Sequence, residues 1–379
     1  MKISVSCASG IEAVTKRELN KLGVINAPAI NGRIGFEGDW KTVAECNMYL
    51  STASRVYIEL AEFPASDFDE LFDGVSDICW ERFVSVRGKL MIDVKLVESK
   101  LHAITATRAI VKKAIAKRLT RICKTDELSE DGERYRIEVS VFHDVATIAL
   151  DTSGEGLHKR GYRVLVGEAQ IKENVAAALI DLSVWNKERP FADLFCGTGT
   201  IAIEAALKAK NVPSGISRSF DFLDYRCFDK RIWEEVYETA ASGIDNGCKA
   251  VIFASDIDEN QLKLCRIHAK RAGVDDIIRI ERKDMADFRS DLTRGVVVSN
   301  PPYGERMLSR AEIEKLYRGL GKVAENNPDW CFYTLTDVTD FEQLFGKRAD
   351  KKRKIYNGRI QCFYYTHLSH LKDTNGHRS

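Results

Sequence analysis

The stretch VVVSNPPYGERM (296–307) gathers an amide, two prolines, an aromatic ring and a glycine at five consecutive positions, Asn300 to Gly304. Consecutive prolines restrict the backbone. The Asn300 side chain and the carbonyls around Pro301 and Pro302 are therefore expected to face an open pocket as hydrogen-bond acceptors. An exocyclic NH2 that donates to such acceptors keeps its nitrogen lone pair free to attack an electrophile. Tyr303 is expected to stack on an unpaired or extruded base, with Gly304 clearing space for the ring. An amine attacking an activated methyl in line needs no covalent nucleophile, only proximity and orientation.

The electrophile is read from DLFCGTGT (193–200). Gly197 and Gly199 allow a tight turn and a close approach of backbone to ligand. With Ala202 they also fit the dinucleotide fingerprint, so a nicotinamide or flavin enzyme has to be weighed. That fingerprint places its ribose-binding acid about 20 residues later, whereas the next strand end bearing acids, SDID at 255–258, comes more than fifty residues on. The turn also opens on an acid, Asp193, which suits a cationic ligand better than a pyrophosphate. S-adenosylmethionine, with an ammonium and a sulfonium, is such a ligand. Phe195, Cys196, Thr198 and Thr200 of the same turn are counted with its pocket. Asp256 can accept from both ribose hydroxyls and Ile257 can lie against the adenine. Asp284 can accept from the adenine amino group beside the Met285 amide. Asp258 either assists the ribose or caps the next helix. Cys196 sits in the cofactor turn rather than beside Pro301 and Pro302, which disfavours a cysteine nucleophile and carbon methylation.

These residues need elements that bring them to one edge. From about 170 onward, short apolar strands alternate with helices: FADLFC, TIAIEAALKAK, AVIFASD, ENQLKLCRIHAKRAG, IIRIERKD, GVVVSNPP. This rhythm predicts a doubly wound, mostly parallel α/β sheet with its ligand at the carboxyl ends of the strands. The pattern IKENVAAALIDLSVW (171–185) predicts a helix with Val175, Leu179, Leu182 and Trp185 on one side, and the domain boundary is placed near 160–170. In the long stretch between the first two strands, about 210 to 250, Phe220, Phe222 and Trp233 are expected to be core residues.

The N-terminal part reads as a smaller α+β unit. KLMIDVKLV (89–97) and YRIEVSVFHDVATIAL (135–150), with a turn at Asp144, flank the segment Lys100 to Lys124, which holds eight Lys or Arg and no acid. At about 100° per residue, Ile104, Val111, Ile115, Leu119 and Ile122 share one helical face. Lys113, Lys117, Arg121 and Lys124 lie on the opposite one, a basic stripe able to contact phosphate or simply a solvated face. GKRADKKRK (346–354) is read as a second basic segment, a loop with Lys351, Lys352 and Arg353 beside the rim of a C-terminal sheet. It either holds an RNA backbone or protects an exposed edge; NG at 357–358 marks a turn.

The net charge of +1 conceals these local stripes. No stretch approaches the roughly 18 apolar residues of a membrane span, and MKISVSCASG is too polar for a signal peptide, so a cytoplasmic protein is expected. The ten cysteines lack paired spacing and are read as free thiols, with no metal.

DLFCGTGT, SDID, RKD and SNPPYGERM, in this order, resemble a class I S-adenosylmethionine-dependent methyltransferase acting on an amino group. With GLHKRGYR (156–163), AQIKENVAAALI and KRKIYNGRIQC, the chain resembles the bacterial guanine-N2 rRNA methyltransferases of the RlmL type over nearly its whole length. The resemblance implies a ferredoxin-like segment at 1–60, a THUMP RNA-binding domain at 61–160, and a Rossmann-like class I methyltransferase domain with a seven-stranded sheet at 161–379. It implies S-adenosylmethionine as cofactor and 23S rRNA or the assembling large ribosomal subunit as partner, with tRNA as the runner-up. The second methyltransferase of the two-enzyme fusions in this family is not expected here. A DNA adenine-N6 methyltransferase, a protein-glutamine methyltransferase and a non-catalytic ribosome-assembly factor are the alternatives. Residues 166–379 alone are expected to bind the cofactor, since every assigned contact lies there.

Overall fold

The structure, a computed structural model, describes residues 1–30, 32–163, 170–302, 309–358 and 360–369. The N-terminal half runs β1 (Lys2–Cys7), α1 (Glu12–Lys21), β2 (Ala29–Ile30), β3 (Arg33–Glu37), α2 (Trp40–Tyr49), β4 (Ala53–Pro64), α3 (Phe68–Asp77), β5 (Lys89–Val97), α4 (Ile104–Cys123), β6 (Arg134–Phe142) and β7 (Val145–Asp151). Its strands form one seven-stranded sheet in the order β2-β3-β1-β4-β7-β6-β5. The 12-residue β4 runs through position 60 and belongs to both sides of the expected boundary there. β6 and β7 are joined through His143 and Asp144, both at positive φ (49° and 59°), the backbone of a two-residue hairpin turn whose twist matches that of the strands.

The helix expected over the first basic segment is α4, with Val111, Ile115 and Leu119 buried as read from the sequence. Ile104 and Ile122 depart from that reading, being 47% and 44% exposed. They stand in the end turns of a 20-residue helix whose neighbour α3 has only 10 residues, so its packing partner reaches only part of its length.

The second half runs α5 (Glu173–Leu182), β8 (Phe191–Asp193), α6 (Thr200–Ala209), α7 (Lys230–Ser242), β9 (Ile252–Asp256), α8 (Glu259–Arg271), β10 (Ile278–Arg282), β11 (Val296–Ser299), α9 (Arg310–Asn326), β12 (Cys331–Thr336), α10 (Phe341–Phe345), β13 (Lys351–Asn357) and β14 (Ile360–His367). The sheet order is β10-β9-β8-β11-β12-β14-β13. β8 to β12 pair in parallel, while β14 is antiparallel to both β12 and β13. Such a sheet is covered on both faces, which is why its strands read as apolar runs. α5 stops at Leu182, and Trp185 lies beyond it, packed edge-on against Phe191 at 5.2 Å. Lys351, Lys352 and Arg353 are in the edge strand β13, not in a loop. The ladder to β14 recruits them, and Gly358 at φ 63° makes the turn.

The segment between α6 and β9 packs away from its own sheet. Phe220, Phe222, Tyr225, Phe228, Val236 and Ala240 join the core of the N-terminal half. Tyr225 stacks on Tyr135 at 4.9 Å and donates through its hydroxyl to Asp151 O, and Phe228 meets Trp40 edge-on at 5.4 Å. The exchange runs both ways, because Ile11 and Val14 of the N-terminal half lie in the core of the second sheet. Asn174 Nδ2 donates to Ser54 Oγ at 3.2 Å, and a buried Arg160–Glu204 pair, 3.4 Å apart, sits where the halves meet. The chain thus carries two sheets but shared cores. Among the described residues no helix is long and apolar enough to cross a membrane.

This packing changes the expectation for the separated catalytic half. Residues 166–379 expressed alone expose Phe220, Phe222, Tyr225 and Phe228, each worth roughly 1.5–3 kcal/mol of burial. They are expected to aggregate, where the full chain elutes as a single folded species in size-exclusion chromatography. A monodisperse fragment with a cooperative melt would show that this segment repacks on its own sheet.

Candidate active site

β8 contributes three buried residues and ends at Asp193, which is 1% exposed. Desolvation pushes its carboxyl up to about 8, and the nearby charge of Asp256 acts in the same direction. The Phe195 amide donates to Asp193 Oδ1 at 3.2 Å, and the Leu194 amide donates to Ser299 Oγ at 3.2 Å, joining this turn to the end of β11.

The two glycines of the turn have different surroundings. A Cβ at Gly199 (φ 90°) would stand 2.4 Å from Cys265 Sγ, so this position is fixed by the packing of α8 behind it. A Cβ at Gly197 (φ 51°) would meet nothing within 4 Å, which leaves the backbone there approachable. The Gly197 amide donates to Asp256 Oδ2 at 2.9 Å, and the Asp258 amide to Asp256 Oδ1 at 3.0 Å. Each carboxylate oxygen thus has one backbone donor and keeps a lone pair for another. Asp258 proves to be a helix cap, its side chain accepting from the Asn260 amide at 2.8 Å. Ile257 is 66% exposed. Asp284 is exposed and accepts from the Ala286 amide at 2.9 Å, opening the short turn 285–287 in which Met285 is buried.

At the end of β11, Asn300 Oδ1 is buried and has no hydrogen-bond partner among the described residues. Pro301 is buried and Pro302 half-buried. Tyr303 and Gly304 lie outside the described residues. Asp284, Asp256, Asp193 and Asn300 thus follow the ends of four adjacent strands, β10, β9, β8 and β11. A row of acceptors with one desolvated carboxyl suits a ligand rich in donors and carrying positive charge. This set of acceptors fits S-adenosylmethionine and does not fit a pyrophosphate. Cys196 is held as a thiol, its pKa raised by a hydrogen bond with Cys265 and by burial, which makes it no nucleophile.

Three contacts of the turn were not read from the sequence. His268 Nδ1 lies 3.1 Å from Thr198 O, the Arg163 guanidinium donates to Thr200 Oγ1, and Ser299 receives the Leu194 amide. Ser299, directly before N-P-P, and Arg163, the last residue of GLHKRGYR, carried a sequence signal; His268 carried none. Lys113, Lys117 and Arg121 are exposed on α4, whereas Lys124, also exposed, has left the helix as its left-handed cap at φ 55°, and the Lys117 ammonium lies 5.2 Å from the Phe72 ring centre. Lys351, Lys352 and Arg353 are also exposed, but the pleat divides them. Lys352 lies over Phe363 and Tyr365 at 4.2 and 4.8 Å, with Lys351 and Arg353 on the opposite face.

Residues 160–366 match the family profile described as RMKL-like methyltransferase domain. Residues 2–57 match the RlmL ferredoxin-like domain and residues 65–151 the THUMP domain. The chain is 40% identical to YpsC of Bacillus subtilis, a protein provisionally named as an RNA methyltransferase, over 96% of this chain and 94% of that one. A crystal structure of SMU.472, described provisionally as a methyltransferase and complexed with SAH, superposes with a TM-score of 0.94 at 37% identity. It covers 98% of this chain and 99% of that one. A Listeria monocytogenes protein described by prediction as an N6-adenine-specific DNA methylase superposes with a TM-score of 0.92 at 37% identity, over 97% and 96% of the two chains.

Because Asp193 titrates near 8 in the folded chain and near 4 when unfolded, the folded state favours its proton. The stability this gives is fully present below about pH 4 and is lost as pH rises toward 8. Asp193→Asn should therefore raise the melting temperature more at pH 8 than at pH 5. An equal effect at both would show that the carboxyl is ionised throughout. Gly199→Ala, strained at φ 90° and against Cys265, should cost about 1–3 kcal/mol in denaturant melts.

Proposed function

Because this chain belongs to the RMKL-like methyltransferase family, we propose that it transfers a methyl group from S-adenosylmethionine to the exocyclic N2 of a guanine in RNA, with 23S rRNA as substrate. The observation that carries the reading is the buried Asn300 Oδ1, an acceptor with no donor among the described residues, at the strand end beside the Asp193 turn. The THUMP match, the RNA methyltransferase name of the Bacillus relative and the basic stripe on α4 support RNA. The SAH bound by SMU.472 supports the cofactor. In this reading residues 1–60 and 61–160 present RNA to a catalytic domain at 161–379, in the cytoplasm. Lys113, Lys117, Arg121, Lys124, Lys351, Lys352 and Arg353 are assigned to phosphate contacts.

S-adenosylmethionine supplies a methyl group made electrophilic by the sulfonium that carries it. Asp193 takes the ammonium end, and a positive charge there brings its raised carboxyl back to the ionised form. Asp256 uses the remaining lone pairs of its two oxygens for the ribose hydroxyls. Ile257 covers one face of the adenine, and Asp284 with the Met285 amide reads its edge. Phe195, Cys196, Gly197, Thr198, Gly199 and Thr200 frame the ligand with their backbone. Asn300 Oδ1 and the carbonyls around Pro301 and Pro302 accept from the target NH2, and we assign Tyr303 to stack on the base. These acceptors bind more strongly as the nitrogen becomes positive, which is stabilisation specific to the transition state.

Asn300→Ala removes an atom that has no partner among the described residues, so the fold and cofactor affinity should persist while turnover falls by about 100-fold or more. Near-wild-type turnover would mean another group orients the amine. A deletion strain should lose N2-methylguanine from its rRNA in nucleoside mass spectrometry. Loss from tRNA alone would move the substrate, and loss of N6-methyladenine would favour the base named for the Listeria relative. No lost methylation would favour a non-catalytic assembly factor.

A further inference from the structure

β12 runs parallel to β11 with Thr334 opposite Ser299, so its carboxyl end rises beside Asn300. The strand ends at Thr336. Its hydroxyl lies 2.7 Å from Tyr317 Oη of α9 and accepts from the Val338 amide at 3.1 Å. The strand end is therefore pinned from two sides. The residue between these contacts is Asp337, which was not among those singled out from the sequence. Its side chain is half-buried, and desolvation raises its carboxyl above the usual carboxylate range. Apart from its own amide, no described group donates to it. An unpaired carboxylate placed partly out of water without compensation is destabilising, and its position is that of a ligand contact. Asp337 stands two residues further along its strand than Asn300 does along β11, roughly 7 Å at about 3.3 Å per residue, with the strands about 4.8 Å apart. A nucleobase is wide enough to touch both.

We propose that Asp337 recognises the target base as guanine, its carboxylate accepting from ring N1–H and from one N2–H while Asn300 Oδ1 accepts from the other N2–H. This rests on the guanine reading above. Guanine presents N1–H and N2–H side by side, and a carboxylate offers two acceptor oxygens to match them. Adenine and cytosine carry a bare ring nitrogen beside their amino group, so the same carboxylate would face a lone pair and reject them. With both N2 hydrogens held in the plane of the base, the nitrogen lone pair projects from that plane.

The test uses the full chain and total RNA from a strain lacking the enzyme, with methylated nucleosides identified after digestion. Wild type should form N2-methylguanine. Asp337→Asn and Asp337→Ala should form it about 10- to 100-fold more slowly, the worth of one paired base contact. Melting temperature should not fall and calorimetric cofactor affinity should be unchanged, because among the described residues no group but its own amide pairs with the carboxylate. Appearance of N6-methyladenine with Asp337→Asn, whose amide can donate to adenine N1, would add support. Wild-type rates in both variants would overturn the role of Asp337 and leave the guanine reading standing. A variant that loses cofactor affinity or melts markedly lower would overturn it as well, by showing a structural role. A wild-type product other than N2-methylguanine would overturn both.

Discussion

Three residues, Phe191 to Asp193, connect the two halves of the catalytic sheet. β8 pairs with β9 on one side, Asp193 opposite Ala254, and with β11 on the other, Ala192 opposite Val297. These registers set the levels at which Asp256 and Asn300 leave the sheet. Because β8 is so short, the chain must turn out at once, and it does so at Gly197 and Gly199 under the hydrogen bonds of Asp256 and Ser299. The acid at the end of this strand is buried for the same reason, since it is enclosed by both neighbours. Its desolvation is tolerable because a cationic ligand can offset it.

Much of this was legible because it is local. Glycine spacing, paired prolines and acids at strand ends are written within a few residues of one another, and the alternation of strands and helices follows from hydrophobic period alone. The two-residue turn at His143 and Asp144 was likewise signalled, although only Asp144 was singled out. The basic segment at 351–353 was misplaced into a loop because charge is a poor guide to edge strands. An edge strand has one unpaired side and favours lysine there.

The contacts that hold the site from behind were not legible. His268 meets Thr198 across seventy positions of sequence, Arg163 reaches Thr200, and Asp337 stands near Asn300 only through the register of β11 and β12. None of these residues differs in type from many surface counterparts. Their significance comes from burial and from long-range pairing, which composition and period do not encode. The same holds for the shared cores. Phe220, Phe222 and Trp233 could be assigned to an interior, but their residue types do not say whose.

The shared core has a consequence for the order of events during synthesis. All strands of the N-terminal sheet have been made once Asp151 is in place, yet Tyr135 and Trp40 receive their partners Tyr225 and Phe228 from much later in the chain. At about 5–20 residues per second, the roughly 80 residues from Asp151 to Phe228 take on the order of 4–15 s to be added. For that interval the nascent N-terminal half emerges with an open apolar face, long after its own hydrogen-bond ladders could have closed. The closing contact comes later still, when the Tyr356 amide of β13 reaches Ser9 O near the start of the chain. The contact between the two ends of the chain is therefore made last, and the first half is exposed to chaperones and proteases until the second half is made.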